Sequence, residues 1–340
     1  MRPTVHDIAA EAGVSLATVD RVLNARPGVR QKTVDKVEAA VQRLGYVRDV
    51  TAANLAKRRV YPLMFVIPEG PNSFMRGLEA EVRAAMQRSS VERTSIMIET
   101  VPPFDADAIV RVLDATDPAQ VTGVALVATD TDEVSAAVNR LIDRGVHVTT
   151  LVSDVRGSRR AHFCGIDNKA AGRTAAGLIG RFCSGRSGKV LVLAGSMNLS
   201  DHMDRASGFI AVLSSEFAGL EIVGPVETND DAGKVRQAVT AALEAEPDII
   251  GIYNLGAGNR GLIEALAGRD HRKLTVVAHE VTQHSREALA EGVFDAVINQ
   301  DCGHEVRSAI RVLKARADGL MPLSAQERIR IDIFLKDNLP

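Results

Sequence analysis

The chain is poor in cysteine: 340 residues carry three, Cys164, Cys183 and Cys302, an odd number set far apart. None belongs to a C-x-x-C pair or has a histidine at ligand spacing, so neither a disulfide framework nor a metal site is expected, and the thiols read as reduced residues of a cytoplasmic protein. Long apolar runs are also missing. The longest are strand-sized, and Met1-Arg2-Pro3 leads directly into a polar helix, so neither a membrane span nor a signal peptide is expected. Catalytic signatures fail on spacing. In His279-Glu-Val-Thr-Gln-His284, five residues rotate a helix about 140° out of alignment, so the two histidines do not share a metal as in H-E-x-x-H. Gly185-Arg-Ser-Gly-Lys189 lacks the length of a P-loop, its hydroxyl residue after lysine, and its strand-then-helix setting. With no G-x-S-x-G elbow either, no catalytic set emerges and no enzyme is expected. Net charge lacks a dominant sign, at −2 overall, but it is unevenly placed. Residues 1–59 hold 11 Lys+Arg against 6 Asp+Glu, or +5, leaving 30 against 37, or −7, for the rest. The basic excess sits where a polyanion would be met.

What is present begins with Asp7-Ile-Ala-Ala-Glu-Ala-Gly-Val-Ser-Leu-Ala-Thr-Val-Asp-Arg-Val-Leu-Asn24. Ile8, Ala9 and Ala12 recur at helical spacing, Gly13 breaks the run, Ser15 can cap a second helix, and Val19, Val22 and Leu23 give that helix its own apolar stripe. The pattern predicts a helix-turn-helix, in which Ala9 and Gly13 provide the small crossing and the permissive turn. Leu16, Ala17, Asp20 and Arg21 share the outward face of the second helix, and the Arg21 fork suits a guanine edge. A small helical hairpin with a solvated face fits those two helices equally well. A third amphipathic segment, Arg30 to Leu44 with Val34, Val37, Val41 and Leu44 in register, can close a three-helix core and favours the first reading.

At this point the stretch resembles the DNA-binding head of the lactose-repressor family. The match runs as TVHDIAAEAGVSLATVDRVLN, then VRQKTVDKVEAAVQRLGYV, then AANLAKRR, in the family's order and at its spacing. The resemblance implies DNA contacts at Thr4, Ser15, Thr18, Asn24, Thr33 and Lys57 besides Leu16, Ala17, Asp20 and Arg21. It also implies a hinge helix at Thr51 to Lys57, folded only when two subunits sit on an operator, with Leu55 wedged into the minor groove at its centre. Lys57, Arg58 and Arg59 come next to hold phosphates. Asp20 departs from the family, which usually has serine there. A carboxylate repels phosphate unless it accepts from a cytosine amino group or pairs with Arg21.

Beyond the hinge, strand and helix alternate to near the end. A first half comprises Val60–Ile67, a helix with Leu78, Val82, Ala85 and Met86 on one face, Ser95–Thr100, a helix from Asp105, Val121–Ala128, a helix Asp132–Arg144, and Val146–Val152. The charged turn Ser153 to Arg160 reads as a crossover. The second half has strands Phe163–Ile166, Lys189–Ala194, Glu221–Val226, Asp248–Asn254 and Leu274–His279, and helices Lys169–Phe182, Arg205–Phe217 and Lys234–Leu243. Ala296–Asn299, a long helix through Ala315 and the alternating Arg328–Leu335 join neither half on periodicity alone. The expected fold is an all-α helix-turn-helix head plus α/β, namely two doubly wound Rossmann-like lobes with a cleft at their strand ends. The family resemblance extends here: the larger domain looks like a periplasmic sugar-binding protein fused to the head, with three crossings between lobes. The expected divisions are head 1–50, hinge 51–59, and an effector-binding and dimerisation domain 60–340. Lobe 1 takes about 60–155 plus 300–320, and lobe 2 about 160–295 plus 325–340.

Polar residues at strand ends are the candidates for ligand contact. Asn72-Ser-Phe74-Met is similar to the N-x-F-F stretch of pentose-binding relatives, an amide for hydroxyls and a ring for the sugar's apolar face, though a turn with Phe74 in the core fits as well. Arg205-Ala-Ser-Gly-Phe209 matches the family's R-x-x-G-F, whose arginine donates to ligand oxygens. A cation at a helix start opposes the dipole, so its place there calls for a function. Asn254, Glu280 and Gln300 fall where relatives place an amide, a carboxylate and a glutamine; Asp154 and Asp167 lie near strand ends around the crossover. Leu255 stands near an aspartate expected from the family, and Asn259 is a candidate to replace its contact. The same stretch, Gly256-Ala-Gly258-Asn-Arg-Gly261 with Glu280 about twenty residues on, is a G-x-G-x-x-G fingerprint that would make the protein a dinucleotide sensor. It lies late in the second half, whereas such a fingerprint opens the first βα turn. The reading is therefore a cytoplasmic regulator, a repressor by resemblance, with no cofactor and no membrane partner. Its partners are operator DNA, a small effector (monosaccharide, polyol or sugar derivative) and a second copy of itself. Without a C-terminal leucine-heptad tail, a dimer is expected.

Overall fold

A computed structural model describes residues 3–23, 26–46, 59–269 and 273–340, and the chain divides into two compact units, Met1–Arg59 and Val60–Pro340. In the first unit, α1 (Val5–Ala12), α2 (Leu16–Leu23) and α3 (Gln31–Leu44) pack around Ile8, Ala9, Ala12, Val19, Val37 and Ala40. Thr4 and Asp7 form a reciprocal capping box that starts α1, and Gly13 ends it in the left-handed region at φ 65°. Ser15 Oγ then accepts from Thr18 N at 3.2 Å to start α2, so a three-residue turn satisfies the ends of both helices.

The second unit is built on two sheets. The first contains β1 (Tyr61–Pro68), β2 (Thr94–Val101), β3 (Gly123–Leu126), β4 (His147–Leu151) and β5 (His162–Cys164), all parallel in the order β2-β1-β3-β4-β5. Its connections are α4 (Ser73–Gln87), the single turn α5 (Ser89–Glu92), α6 (Ala106–Ala115) and α7 (Asp132–Asp143). Alternation along β1 feeds both faces: Leu63, Phe65 and Ile67 pack under α4, whereas Met64 and Val66 pack under α6 and α7.

The second lobe carries α8 (Asn168–Phe182), β6 (Gly188–Ala194), α9 (Ser200–Glu216), β7 (Leu220–Glu227), α10 (Ala232–Ala245), β8 (Ile249–Asn254), α11 (Asn259–Leu266), β9 (Thr275–His279), α12 (Gln283–Ala290) and β10 (Ala296–Asn299). The chain then enters α13 (Cys302–Ala317) and ends with β11 (Asp332–Phe334). The sheet order is β11-β10-β9-β8-β6-β7, with β11 antiparallel to β10. Helices α8 and α9 cover one face, and α10, α11 and α12 the other. Helix α13 packs in the first lobe beside α4, through Val306, Ala309, Ile310 and Leu313. The chain therefore crosses after β5, after β10 and after α13, which is the expected three.

Two expectations are corrected. The strand around Phe163 belongs to the first sheet, not the second, because the Ser153 to Arg160 turn folds back on its own lobe. Arg160 grips Asp154, Arg159 donates to Asp143 at 2.7 Å, and Ala161 N donates to Val148 O at 2.7 Å. The crossover comes later, at Gly165 to Asp167. Helix α9 begins at Ser200, so Arg205 lies in its second turn rather than at its start, and the dipole argument for it falls away. Among the described residues, no helix is long and apolar enough to cross a membrane.

Candidate functional site

On the head, Ser15, Leu16, Ala17, Asp20 and Arg21 are exposed, Thr18 and Thr33 half-buried, and Val19 fully buried. Leu16 is 42% exposed and lies with Ala17 beside the charged Asp20 and Arg21 on the outward face. Thr4 and Ser15, both expected at DNA, also hold helix ends. Asp20 pairs with Arg26 at 3.1 Å, not with Arg21 as one expectation had it, which leaves the Arg21 fork facing outward. Asn24, Leu55 and Lys57, with most of the expected hinge, lie outside the described residues.

The cleft is assembled from strand ends. Asn72, between β1 and α4, caps α4 by accepting from Phe74 N and Met75 N at 3.0 and 3.3 Å. Its Nδ2 donates across the cleft to Asp230 Oδ2 at 3.3 Å. Asp230 comes after β7 in a turn where Asn229 and Asp230 both have positive φ, 52° and 56°, and its Oδ1 accepts from Ala257 N at 2.8 Å. Near the first crossover, Ser200 at the head of α9 accepts from Asp154 N at 2.6 Å and donates to Asp154 O at 2.8 Å, stitching the lobes together. The turn that delivers Ser153 is tight: Val152, a β-branched residue, has φ 62°.

Arg205 is placed by two glycines. A Cβ on Gly172 of α8 would stand 2.0 Å from Arg205 O, and one on Gly208 of α9 would stand 2.1 Å from Lys169 O, so the two helices meet backbone to backbone. Phe209, next along, stacks on Tyr253 with ring centroids 4.6 Å apart. The R-x-x-G-F motif is thus a cleft arginine, a helix contact and a core ring in consecutive roles. At that depth Arg205, 2% exposed, donates from Nε to Asn168 Oδ1 and from Nη1 to Leu255 O, each at 2.8 Å. Its Nη2 lies 3.7 Å from Glu280 Oε1 and 3.9 Å from Asp201 Oδ2, without a hydrogen bond.

Glu280 comes after β9 at φ 68° and is buried. Gln300 Nε2, from the crossover after β10, donates to Glu280 Oε1 at 2.8 Å. Burial pushes the Glu280 carboxyl up to about 7, against the pull of Arg205 and Gln300. Glu305 of α13 is completely buried, and burial first, then Glu280, pushes its carboxyl well above the ordinary range.

Asn72, Phe74, Arg205, Glu280 and Gln300 therefore converge on one small cavity of about 40 Å³, together with Asp201 and Asp230, which the sequence reading missed. Spaces of about 200 and 220 Å³ flank it, each also bordered by Asn72 and Asp230. Within the cavity wall, Asp201 Oδ1, Arg205 Nη2 and Gln300 Oε1 are buried without hydrogen-bond partners. Three other expectations are corrected. Asp154 turns its carboxyl to Arg160 and to Thr150 Oγ1, and Asp167 is the exposed cap of α8; neither faces the cavity. Asn254 Nδ2 donates to Asn259 Oδ1 at 2.8 Å and supports the loop rather than lining the cavity. Asn259 donates from Nδ2 to His279 O at 2.8 Å and borders the adjoining space of about 200 Å³. Next to the loop that follows Leu255, Asp230 lines the cavity. The glycine fingerprint answers to packing: a Cβ on Gly261 would stand 1.8 Å from Ala232 O at the start of α10, one on Gly256 2.7 Å from Asp230 Oδ1, and Gly258 has φ 88°.

The chain thus combines a three-helix unit of helix-turn-helix type with a two-lobed α/β domain whose strand ends enclose a polar cleft. Residues 4–49 match the bacterial regulatory proteins of the lacI family, and residues 63–321 match a periplasmic binding protein domain. The chain belongs to the periplasmic binding protein domain family over most of its length and carries a lacI-family regulatory domain at its front. Catabolite control protein A of Priestia megaterium is 40% identical over 83 residues, 23% of this chain and 25% of that protein, so the match spans a quarter of that relative's length. The HTH-type transcriptional regulator pepR1 of Lactobacillus delbrueckii subsp. lactis is 26% identical over 298 residues, 84% of each chain. In fold, the chain is similar to an ABC-transporter solute binding protein from Burkholderia graminis in complex with D-arabinose, with TM-score 0.73 and 21% identity over 82% of this chain and 96% of that one. GanP, a glucose-galactose binding protein from Geobacillus stearothermophilus, gives TM-score 0.73 and 19% identity over 83% and 99%.

Proposed function

We propose that the protein is a dimeric transcriptional repressor, not an enzyme, whose affinity for a near-palindromic operator is set by a small polyhydroxy effector in the interlobe cleft. The observation that carries the effector reading is the set of buried, unpartnered polar atoms on Asp201, Arg205 and Gln300 around one cavity. Such atoms are costly unless a ligand completes them. Asn72 and Phe74 add an amide and a ring from the facing lobe. Each head lays Leu16 to Asn24 in a major groove, and paired hinges press Leu55 into the minor groove. Effector binding alters the angle between lobes and so the spacing of the hinges. By linkage, the effector weakens DNA binding by the factor by which DNA weakens effector binding, commonly about 1–3 kcal/mol.

The test is a thermal-shift screen of monosaccharides and polyols, then gel-shift titration on DNA from the protein's own promoter. A compound that raises the melting temperature and also weakens the DNA complex is expected. Melting-temperature shifts with unaltered DNA affinity would reduce the protein to a binding module, and product formed from the sugar would reveal an enzyme.

A further inference from the structure

We infer that the cleft selects a polyol bearing an amino group and rejects phosphate esters; this rests on the effector reading above and names the ligand class. Three carboxylates, Asp201, Asp230 and Glu280, line the cavity, and Arg205 is the one Lys or Arg among its lining residues. Arg205 is already engaged: two of its nitrogens donate to Asn168 and Leu255, and Nη2 stands between Glu280 and Asp201. The buried atoms that await a partner are mostly acceptors, Asp201 Oδ1 and Gln300 Oε1, against the one donor Arg205 Nη2.

A phosphate ester offers acceptors and about −1.5 to −2 charges, the wrong complement for such a wall. Arg76 and Arg260, which border the adjoining space, do not reverse this. Arg76 donates to Pro71 O and Ser73 Oγ, and Arg260 lies 3.7 Å from Glu264. Hydroxyls of a neutral polyol can donate to Gln300 and accept from Arg205. An ammonium goes further, because it brings three donors, no acceptor, and a charge that offsets the excess of carboxylates. Its place is beside Asp201 Oδ1, whose side chain is 5% exposed and lacks any donor there.

The experiment is isothermal titration of the full-length protein with matched sets: D-glucose, D-galactose and D-mannose, their 2-amino-2-deoxy counterparts, and their 6-phosphates. At least one amino sugar is expected to bind about tenfold more tightly than its parent, a charge-assisted hydrogen bond's worth, and no phosphate to bind more tightly than its parent. In Asp201→Asn that amino preference should fall to near parity while affinity for the parent sugar changes less. A phosphate that binds best, or amino sugars that bind no better than their parents, would overturn the inference and leave the sugar-effector reading standing. No binding by any member would remove both.

Discussion

At the scale of single residues, the cleft combines one guanidinium with three acidic side chains, of which Glu280 is the one whose carboxyl burial pushes upward. The Glu280 carboxyl is raised from 4.5 to about 7, so the fold favours its protonated form. That contribution to stability is complete below pH 4.5 and is lost as pH rises through about 7. At 1.36 kcal/mol per unit the loss is on the order of 3 kcal/mol. Arg205, Asp201, Gln300 and Glu305 all face or flank Glu280; Glu305 is shifted in the same direction, whereas buried His279, held well below its ordinary value, favours the fold as pH rises through about 6.5. The Glu280 contribution is therefore read as a difference: between about pH 5 and about pH 8 the melting temperature of the protein should fall relative to that of Glu280→Gln, as measured by calorimetry, and parallel profiles would place the titration elsewhere. Arg205→Ala leaves Asn168 Oδ1 and Leu255 O without their donor and Glu280 without its cation. A loss of about 3–5 kcal/mol is expected, with effector response abolished and operator binding retained at temperatures where the variant is folded. Retained effector release would remove Arg205 from the site. Arg205 was legible through the likeness of Arg205 to Phe209 to the family's R-x-x-G-F, and Glu280 and Gln300 through their places after β9 and β10, where relatives carry a carboxylate and a glutamine. The sequence hid Asp201, which depended on where α9 begins, and Asp230, whose two-residue left-handed turn no periodicity announces.

At the scale of elements, the pair α8 and α9 does most to position the site. Gly172 and Gly208 permit a contact that no side chain can enter, and Gly208→Ala would force a Cβ to 2.1 Å from Lys169 O. The helices must separate, so Gly208→Ala should lower the melting temperature and weaken effector affinity together, through displacement of Arg205. A fall in stability with unaltered affinity would show that the guanidinium is held by Asn168 and Leu255 alone. In the head, Thr4→Ala removes the side-chain half of the α1 capping box, leaves Thr4 N donating to Asp7 Oδ2, and should cost about 1 kcal/mol, read as a lower urea midpoint. Strand and helix placement was legible wherever an apolar run met a clear turn. The Phe163 strand was assigned to the wrong lobe because Ser153 to Arg160, rich in turn residues, reads as a linker. The ion pairs that fold it back join residues up to 26 apart in sequence, such as Arg156 and Asp130 at 2.7 Å.

At the scale of the molecule, charge is partitioned between the two units, with +5 on residues 1–59 and −7 on the remainder. Operator affinity should therefore fall linearly in log–log form with salt, losing about a decade or more between 50 and 200 mM, while effector affinity, carried by buried groups, should barely respond. A flat DNA dependence in a gel-shift salt series would contradict phosphate contact by the head. The head was the most legible part of the chain, since its caps, turn glycine and apolar stripes lie within some forty consecutive residues. The lobes were legible as two sheets, but their three crossings came from family likeness, because β11 and α13 declare their partners only through contacts distant in sequence.

The bond from Asn72 to Asp230 ties the two lobes together in the cavity wall while the same side chain caps α4. Parting the lobes to admit a molecule requires that clasp to be released. Uptake should accordingly run at the pace of the protein's own breathing, with the observed rate levelling off at high concentration instead of rising without limit, and the delay before a gene responds would be written into a single amide.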